Sequence, residues 1–278
     1  MSLRTFLYQL SKTRCVSNQL LLKVCQLAVE EKMNIEQLFH YVRSQLKDQQ
    51  RILFDQVFNQ DTSQVPAMIT FLDSVYPQKL REIYNPPAIL YYQGNLQLLQ
   101  KTTVAIVGAR QSNRYTQTVV RSLVPTLVRQ DIVTVSGLAQ GADSWCHQVT
   151  LDENGQTIAV VGNSIDYYYP AQNQSLQQQV SKRGLLLSEY PPTTNPRKYF
   201  FPQRNRIIAG LCETLVVTQA KKRSGSLITA QLALQENRNV WAAPGPLDSS
   251  LSKGCNELIA AGARPYFSAQ DLIDELRD

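Results

Sequence analysis

Three apolar segments, TTVAIVG (102–108), DIVTVSG (131–137) and QTIAVVG (156–162), succeed one another along the chain, and each ends in a glycine. Each segment has the length of one strand that is buried on both faces, and sequence long enough for a helix separates it from the next. Alternation of this kind is typical of parallel strands joined by crossover helices. We therefore predict an α/β fold built on a doubly wound, mostly parallel sheet.

The same rhythm extends in both directions from these segments. Further strands are predicted at AILYYQG (88–94), GLLLSE (184–189), TLVVTQA (214–220) and NVWAAPG (239–245). Residues 1–58 differ, because they lack glycine and repeat apolar residues at spacings of three and four, which predicts helices. The polar segment NQDTSQVP (59–66) is interpreted as a linker, followed by a short helix around 67–75. We expect a helical domain at 1–80 and an α/β domain at 81–278.

Positive charge is concentrated in one stretch of the chain. Seven basic residues and one acid, Glu213, lie between positions 197 and 223, so this stretch carries a net charge of +6, equal to that of the whole chain. The basic residues are Arg197, Lys198, Arg204, Arg206, Lys221, Lys222 and Arg223. Because the other residues sum to zero, the positive field is local, and a local field of this kind indicates an anionic partner.

Ligands of doubly wound sheets bind beyond the carboxyl ends of the strands. Small, hydroxyl and basic residues follow several strand ends in this chain: Gly108, Arg110, Ser136, Gly137, Gly141, Ser224, Gly225 and Ser226. Glycine lets a ligand approach the backbone, and the first N–H groups of the next helix bind phosphate. The alternative interpretation is that these glycines only serve the short turns that every α/β fold contains.

Composition and motifs argue against several classes of protein. No apolar run reaches the length of a membrane span, and Arg4 and Lys12 interrupt the amino-terminal region before a signal-peptide core develops, so we predict a cytoplasmic protein without membrane insertion. Five scattered cysteines without a C-x-x-C pair, and only two histidines, predict neither disulfides nor a metal site. Neither G-x-G-x-x-G nor a Walker A loop occurs, so no cofactor is expected. His147 has no evident nucleophile to serve and is predicted to be packed in the core.

Seven motifs occur in order over residues 103–263: VAIVGARxxxxY, VSGLAQGADSWCH, TIAVVGNSIDYYYP, LLLSEYPP, FPQRNRIIAGLCETLVV, RSGSLITAQLALQENRNVWAAPG and SKGCNELIAAGA. This series resembles the DNA-processing protein A family (DprA, also called Smf) of natural transformation. The resemblance implies an extended Rossmann-like domain that binds single-stranded DNA in a basic pocket, behind a small helical domain similar to a sterile alpha motif (SAM-like). It also implies a homodimer, loading of the RecA recombinase, and no enzymatic activity.

By position, the resemblance assigns backbone contacts to Arg110, Arg204 and Arg206, and a neighbouring loop to residues 223–226. With the charge pattern, it predicts DNA contacts by Gly108, Arg110, Ser136, Gly137, Gly141, Arg197, Lys198, Arg204, Asn205, Arg206, Lys222, Arg223, Ser224, Gly225 and Ser226. The chain departs from the family at 171–174 (AQNQ), where relatives often carry lysine. One wall of the pocket is therefore expected to be neutral.

Aromatic and aliphatic residues supply two further predictions. Tyr199, Phe200 and Phe201 adjoin Lys198 and are candidates for base stacking, with burial in the loop as the alternative for the two phenylalanines. The homodimer is expected to form around residues 227–236 and 256–273, and the interface residues predicted are Leu232, Leu258, Ile259 and Leu272. The alternative is that these leucines and isoleucines are buried within their own domain.

Two other functions stay open at this point. A Rossmann-like hydrolase of a phosphorylated nucleotide would use Glu189 and Asp143 as its acid or base. Against it, nucleotide-activating hydrolases carry a P-G-G-x-G-T-x-x-E element, whereas this chain has KKRSGSLITAQ at 221–231. A protein-only adaptor would use the amino-terminal helices to recruit a partner and would show no salt-sensitive affinity for oligonucleotides.

Overall fold

The strands form one twisted sheet, as predicted. A computed structural model of the chain describes residues 1–58 and 64–277. Within these residues the strands are β1 (Met68–Thr70), β2 (Ile89–Gly94), β3 (Thr103–Val107), β4 (Val133–Ser136), β5 (Thr157–Val161), β6 (Leu185–Ser188), β7 (Thr214–Val217), β8 (Asn239–Ala242) and β9 (Arg264–Pro265). Their order is β1-β2-β6-β5-β4-β3-β7-β8-β9. In this order, each strand from β6 across the sheet to β9 is parallel to its neighbour. Strands β1 and β2 add an antiparallel edge beside β6.

The strand order reverses direction at β3. From β3 the chain proceeds through β4, β5 and β6 on one side, and then returns to place β7 on the other side. Such a reversal opens a crevice at the carboxyl ends of the two central strands, where ligands of doubly wound sheets bind. The central strands are buried along their whole length, which explains why their sequences are continuous apolar runs rather than alternating ones.

Helices cover both faces of this sheet. Within the described residues they are α1 (Leu3–Lys12), α2 (Asn18–Glu30), α3 (Ile35–Gln45), α4 (Asp48–Phe58), α5 (Gln78–Arg81), α6 (Arg114–Arg129), α7 (Ala142–Asp152), α8 (Gln174–Arg183), α9 (Phe200–Leu211), α10 (Gly225–Gln235), α11 (Lys253–Ala260) and α12 (Ala269–Arg277). The core on one face joins residues of α9, α10 and the strands, and the core on the other joins α6, α7 and α12. The α/β, doubly wound prediction is therefore confirmed.

The amino-terminal helices pack on the edge of the sheet. A third core joins Phe6, Leu10 and Val24 of the helices to Tyr91 of β2 and Leu186 of β6. The start of α3 carries a reciprocal capping box between Asn34 and Gln37, which satisfies two backbone donors at that helix end. Packing of this kind, rather than helix propensity alone, stabilises short helices.

The region that follows the helices departs from the sequence prediction. The helix expected around 67–75 is wrong, because β1 (68–70) forms there and pairs antiparallel with β2. Of its three buried residues, Ile69 pairs with Leu90 of β2, while the Thr70 N–H donates to the Asp73 carboxylate and the Met68 carbonyl accepts from Arg4. Of the linker predicted at 59–66, residues 59–63 lie outside the described residues. The sheet begins before residue 80, and the division into 1–80 and 81–278 stays a prediction.

His147 is a core residue, as the sequence analysis predicted. It lies on α7, is fully buried, and its Nδ1 is 2.7 Å from the Thr157 hydroxyl. Burial, and to a smaller extent the nearby charge of Arg204, lower the pKa of His147 to about 3, so the imidazole is neutral in the folded protein. His147 is packed between α7 and the sheet and has no surface exposed to solvent, so it cannot contact a substrate.

This buried imidazole predicts a pH dependence of stability. Because the pKa of His147 is lower in the folded chain than the unfolded value of about 6.5, the unfolded chain binds more protons between these two values, and stability falls as the pH falls through that window. Between pH 7 and pH 5.5 the loss from this group is about 1 kcal/mol. Urea unfolding at both pH values should show this difference in the wild-type chain relative to His147→Gln. An equal pH response in the two proteins would contradict it.

The predicted interface leucines do not share one environment. Leu272 is fully buried in the core formed with α6 and α12, so its assignment to a dimer interface is wrong. Leu232, Leu258 and Ile259 are partly buried against the core on the α10 face and keep part of their surface exposed.

Among the described residues, none of the helices combines the length and the apolar character that a membrane span requires.

Candidate nucleic-acid interface

A cavity of about 740 Å³ opens at the point where the strand order reverses. Residues of three strand-to-helix connections line it: 107–111 at the end of β3; 139, 140 and 143 after β4; and 221 and 224–226 after β7. The start of α9 completes the wall. We call this the switch-point cavity. It lies where the glycine, hydroxyl and basic residues of the sequence analysis were expected to meet.

Three exposed cations lie on the wall of this cavity: Arg110, Lys198 and Lys221. None of the ion pairs found within residues 1–58 and 64–277 involves them. Cations that form no ion pair and converge on a concave surface focus a positive potential there. The wall is therefore suited to an anion, and it has charge to neutralise more than one phosphate.

Arg204 also borders the cavity, but it is a buried residue with partners of its own. Its side chain is 4% exposed, and its Nη1 donates a hydrogen bond to the carbonyl of Val160 at 2.6 Å. Burial lowers the pKa of Arg204 to about 10, while the charge of buried Asp143 opposes that decrease. Burial raises the pKa of Asp143 above its usual value, and the positive charge of Arg204 opposes part of that increase. The two side chains therefore balance each other's charge beneath the cavity floor.

Two of the glycines named in the sequence analysis are required by packing. A Cβ at Gly137 would lie 1.7 Å from Nη1 of Arg204, so the guanidinium lies directly against the backbone there. At Gly141 φ is +78°, and a Cβ would lie 2.3 Å from the carbonyl oxygen of Ala109. Gly137 therefore leaves room for Arg204 of α9, and Gly141 brings the connections after β3 and β4 together. A third glycine, Gly108, allows the connection after β3 to pack against Thr218 after β7, since a Cβ there would lie 2.3 Å from the Thr218 hydroxyl.

The turn before α10 contains a glycine that packing does not require. A Cβ on Gly225 would meet no heavy atom within 4 Å, and this residue faces the open cavity. Ser224 occupies the N-cap position without a side-chain capping bond, so the first N–H groups of α10 are available to an anion. Asn205 lies within 3.4 Å of the Gly225 carbonyl and connects this turn to α9.

Alanine substitutions separate these two kinds of glycine. Gly141→Ala is expected to lower the free energy of unfolding by 2 kcal/mol or more, on the order of a strained conformation plus a backbone clash. Gly225→Ala should retain or slightly raise stability, because it fits the space and adds helix propensity. Denaturant unfolding of both variants measures this contrast. Equal losses, or a stable Gly141→Ala protein, would contradict the distinction.

Aromatic rings flank the cations. Phe201 lines the cavity, with the guanidinium carbon of Arg110 5.6 Å from its ring centroid and the ring of Tyr169 5.2 Å away. Phe200 is instead buried and stacks on Tyr190 at 3.9 Å. The alternative of burial thus holds for Phe200, while Phe201 keeps a face beside the cations.

Helix periodicity explains why Arg204 and Arg206 do not act together. Both lie on α9, and two residues along a helix turn the side chain by about 200°. Arg206 therefore points away from the switch-point cavity. Its Nη2 instead pairs with Glu189 at 2.5 Å. Both arginines were assigned as backbone contacts, and the structure places only Arg204 at this cavity.

Other predicted contacts also lie outside the cavity lining. Ser136 is fully buried and donates to the carbonyl of Ile106 at 2.6 Å, so it holds two strand ends together. Lys222 pairs with Glu257, and Arg223 is exposed with a φ of +55°. Arg197 is exposed beside a different cavity.

One cation was missing from the predicted contacts. Lys221 lines the cavity, while Lys222 and Arg223 do not. All three follow β7 in the sequence, and charge counting cannot tell which of three adjacent lysines and arginines faces a ligand.

The neutral segment 171–174 also lies outside the cavity lining, whereas the nearby Tyr169 belongs to it. Asn173 instead turns inward and donates to the carbonyl of Leu138 at 2.8 Å.

The candidate acids of the hydrolase alternative do not meet in one site. Asp143 is buried beside Arg204, and Glu189 pairs with Arg206 in a separate cavity. Within the described residues, no group of three or more His, Cys, Asp and Glu side chains is placed to hold a metal ion.

Comparison with known proteins identifies relatives of this chain. The model of a family described as DNA recombination-mediator protein A matches residues 67–277. The chain is 45% identical to DNA processing protein DprA of Streptococcus pneumoniae over 206 residues, 74% of this chain and 73% of that protein. It is 43% identical to DNA processing protein DprA of Bacillus subtilis over 202 residues, 72% of this chain and 68% of that protein.

Solved structures extend the likeness to the fold. The X-ray structure of DprA from Streptococcus pneumoniae superimposes with a TM-score of 0.86 at 38% identity, covering 96% of each chain. A structure of DNA processing protein A from Helicobacter pylori, described for its unique single-stranded DNA binding mode, gives a TM-score of 0.69 at 32% identity. It covers 76% of this chain and 96% of its own.

Proposed function

This chain belongs to the DNA recombination-mediator protein A family, and we propose that it binds single-stranded DNA in the switch-point cavity during natural transformation. The observation that carries the proposal is the convergence of Arg110, Lys198 and Lys221, all exposed and without acidic partners, on one concave wall. The Helicobacter pylori relative described as binding single-stranded DNA supports the same ligand.

The geometry favours a single strand over a duplex. Phosphates that enter the cavity reach the three cations and the first N–H groups of α10, as in other anion sites at helix starts. A flexible strand can then turn a base toward Phe201, because every base has a face that stacks on an aromatic ring. In a duplex the bases are already stacked and paired, so this contact would require unstacking.

Fluorescence anisotropy with one labelled oligonucleotide, alone and annealed to its complement, tests the proposal. The single strand is expected to bind at least about tenfold more tightly, a difference of about 1.4 kcal/mol. Equal or tighter binding of the duplex would argue against this use of the cavity. If the protein shows no salt-sensitive binding to either oligonucleotide, the result would favour the protein-only adaptor instead.

The proposal extends to the recombinase. A protein that holds an incoming single strand in an open cavity leaves the rest of that strand free for other proteins, and family membership supports delivery of the strand to RecA. RecA filament formation on strands precoated with single-strand binding protein is the corresponding assay. We expect this chain to shorten the lag of that reaction, and an unchanged lag would contradict the loading role.

Assembly as a homodimer is part of the same proposal. Helix α10 leaves Ile228 and Leu234 exposed by 44% and 51%; Ile228 shares a helix face with the partly buried Leu232, and Leu234 with the partly buried Leu227. Exposed apolar residues at this density support an interface. Light scattering should give a dimer for the wild-type chain and a monomer for Leu234→Glu, a change that does not touch the cavity lining. A wild-type monomer at tens of micromolar would exclude the dimer.

We further propose that this protein acts in the cytoplasm and without catalysis. All five cysteines are free, four of them buried, which suits a reducing compartment. Asp143 lines the switch-point cavity and Glu189 lines a different one, and this separation of the two candidate acids supports binding without hydrolysis. Nucleotide turnover above background that disappears in Glu189→Gln would overturn this part of the proposal.

A further inference from the structure

A second cavity, of about 420 Å³, lies between the amino-terminal helices and the sheet domain. We call it the junction cavity. One wall contains Arg14 and Asn18 from the region between α1 and α2, and the other is formed by residues 189–206. Neither the family match, which begins at residue 67, nor the predicted DNA contacts extend to the helical side of this cavity.

The charged residues of the junction cavity are unbalanced. Arg206 and Glu189 satisfy each other at 2.5 Å and are largely buried, with 12% and 15% of their side chains exposed. Arg14 and Arg197 are exposed and line this cavity, and neither takes part in any of the ion pairs of the described residues. Two cations are therefore left without a counter-charge, on opposite sides of one opening.

Buried polar groups of this cavity also lack partners. The Thr194 hydroxyl belongs to a residue that is 4% exposed, and it has no hydrogen bond within the described part of the chain. Nε of Arg206 is likewise buried and unpartnered. Buried polar atoms are normally satisfied, so an unsatisfied pair lining one cavity indicates a polar ligand or water there.

The two cavities share one wall. Arg197 lines the junction cavity and Lys198 lines the switch-point cavity, and these consecutive residues have Cα atoms about 3.8 Å apart. Phe200 and Phe201 divide in the same way, one toward each cavity. Tyr199, between them, is 52% exposed, and its hydroxyl accepts a hydrogen bond from Arg197 at 2.9 Å. The segment 197–201 is thus a narrow ridge with cations on both sides and an aromatic ring on its crest.

We propose that the single strand held in the switch-point cavity crosses this ridge and continues into the junction cavity, where Arg14 and Arg197 neutralise further phosphates. The inference rests on the proposed function, since it extends the path of the same ligand. It gives the amino-terminal helices a direct part in DNA binding. A continuous strand suits this arrangement better than a free nucleotide, because the cations follow one another from cavity to cavity as backbone phosphates do.

Salt dependence counts these contacts. For single strands the slope of log affinity on log salt is about −0.7 for each neutralised phosphate. Three cations in the switch-point cavity predict a slope of about −2, and the addition of Arg14 and Arg197 predicts about −3.5. A short oligonucleotide of roughly six nucleotides should show the first value, and one of about twenty nucleotides, long enough to reach both cavities, should show the second.

The experiment compares the wild-type chain with the Arg14→Asn/Arg197→Gln variant on both oligonucleotides. Asparagine is chosen because Arg14 has a φ of +55°, which asparagine tolerates. We expect about tenfold weaker binding of the long strand, with its slope reduced to about −2, and unchanged binding of the short strand. The matched control, Lys23→Gln/Arg129→Gln, removes two cations that line neither cavity and should leave both affinities within about twofold.

The outcomes separate this inference from the function on which it rests. Wild-type affinity and slope for the long strand in the Arg14→Asn/Arg197→Gln variant, with both strands still bound, would overturn the inference and leave the switch-point cavity in place. Absence of salt-sensitive binding of either strand by the wild-type protein would overturn the proposed function itself, and this inference with it. Unfolding curves of each variant exclude loss of structure as the cause.

Discussion

Replacing Arg110 and Lys221 together with glutamine is expected to lower the affinity for single-stranded DNA by about a hundredfold. Each side chain lies exposed on the wall of the switch-point cavity and has no acidic partner, so its positive charge is available to a phosphate. A charge-assisted contact contributes about 1.5 kcal/mol or more, and the loss of two corresponds to roughly two orders of magnitude. Anisotropy titrations at one fixed salt concentration measure the change.

The chain supplies a matched control for this double variant. Lys222→Gln/Arg223→Asn removes the same charge from adjacent positions that do not line the cavity, and should change affinity by less than about threefold. If both double variants weaken binding equally, the cavity has no special role and the effect is that of net charge. Neither variant should lose stability, because all four side chains are exposed.

The second large effect concerns folding. Arg204→Met is expected to lower the free energy of unfolding by about 3 kcal/mol or more, because it leaves the buried Asp143 without its compensating cation. It also removes the hydrogen bond to the Val160 carbonyl. For a chain of this size such a loss lowers Tm by roughly 6–12 °C. Thermal unfolding followed by circular dichroism measures the change.

A second substitution checks the cause of this instability. Adding Asp143→Asn to Arg204→Met removes the uncompensated carboxylate and should recover part of the lost stability, an interaction that a double-mutant cycle quantifies. Arg197→Met, an exposed arginine nearby, should leave Tm within about 1 °C. An Arg204→Met protein with unchanged Tm and abolished DNA binding would return Arg204 to the role of a phosphate contact.

The succession of strands along the chain and the location of the site were predictable from sequence. Apolar runs that end in glycine, such as TTVAIVG at 102–108, indicate buried parallel strands, and the doubly wound arrangement places their carboxyl ends together. Gly108, Arg110, Lys198, Asn205 and residues 224–226 indeed line one cavity. The edge strand β1 was not predictable, since its three residues form a strand only through pairing with β2.

The exact contacts were less predictable than the site. Sequence charge does not distinguish an exposed cation from a buried one, so Arg204 and Arg110 carried equal weight although one is 4% exposed. Recognising that FPQRNR begins a helix would have separated Arg204 from Arg206. Pro202 is the signal for that start, because proline is tolerated in the first turn, where its missing N–H has no partner. The junction cavity depends on tertiary packing between distant segments, and local patterns carry no information about it.

The salt dependence of binding to a short single strand tests the central claim most directly, because the slope counts the phosphates that the switch-point cavity neutralises. With Arg110, Lys198 and Lys221 engaged, the wild-type chain should give a slope of about −2. The Arg110→Gln/Lys221→Gln variant, with one cation left, should give about −0.7. The same slope in both proteins would contradict the assignment of the DNA site to this cavity.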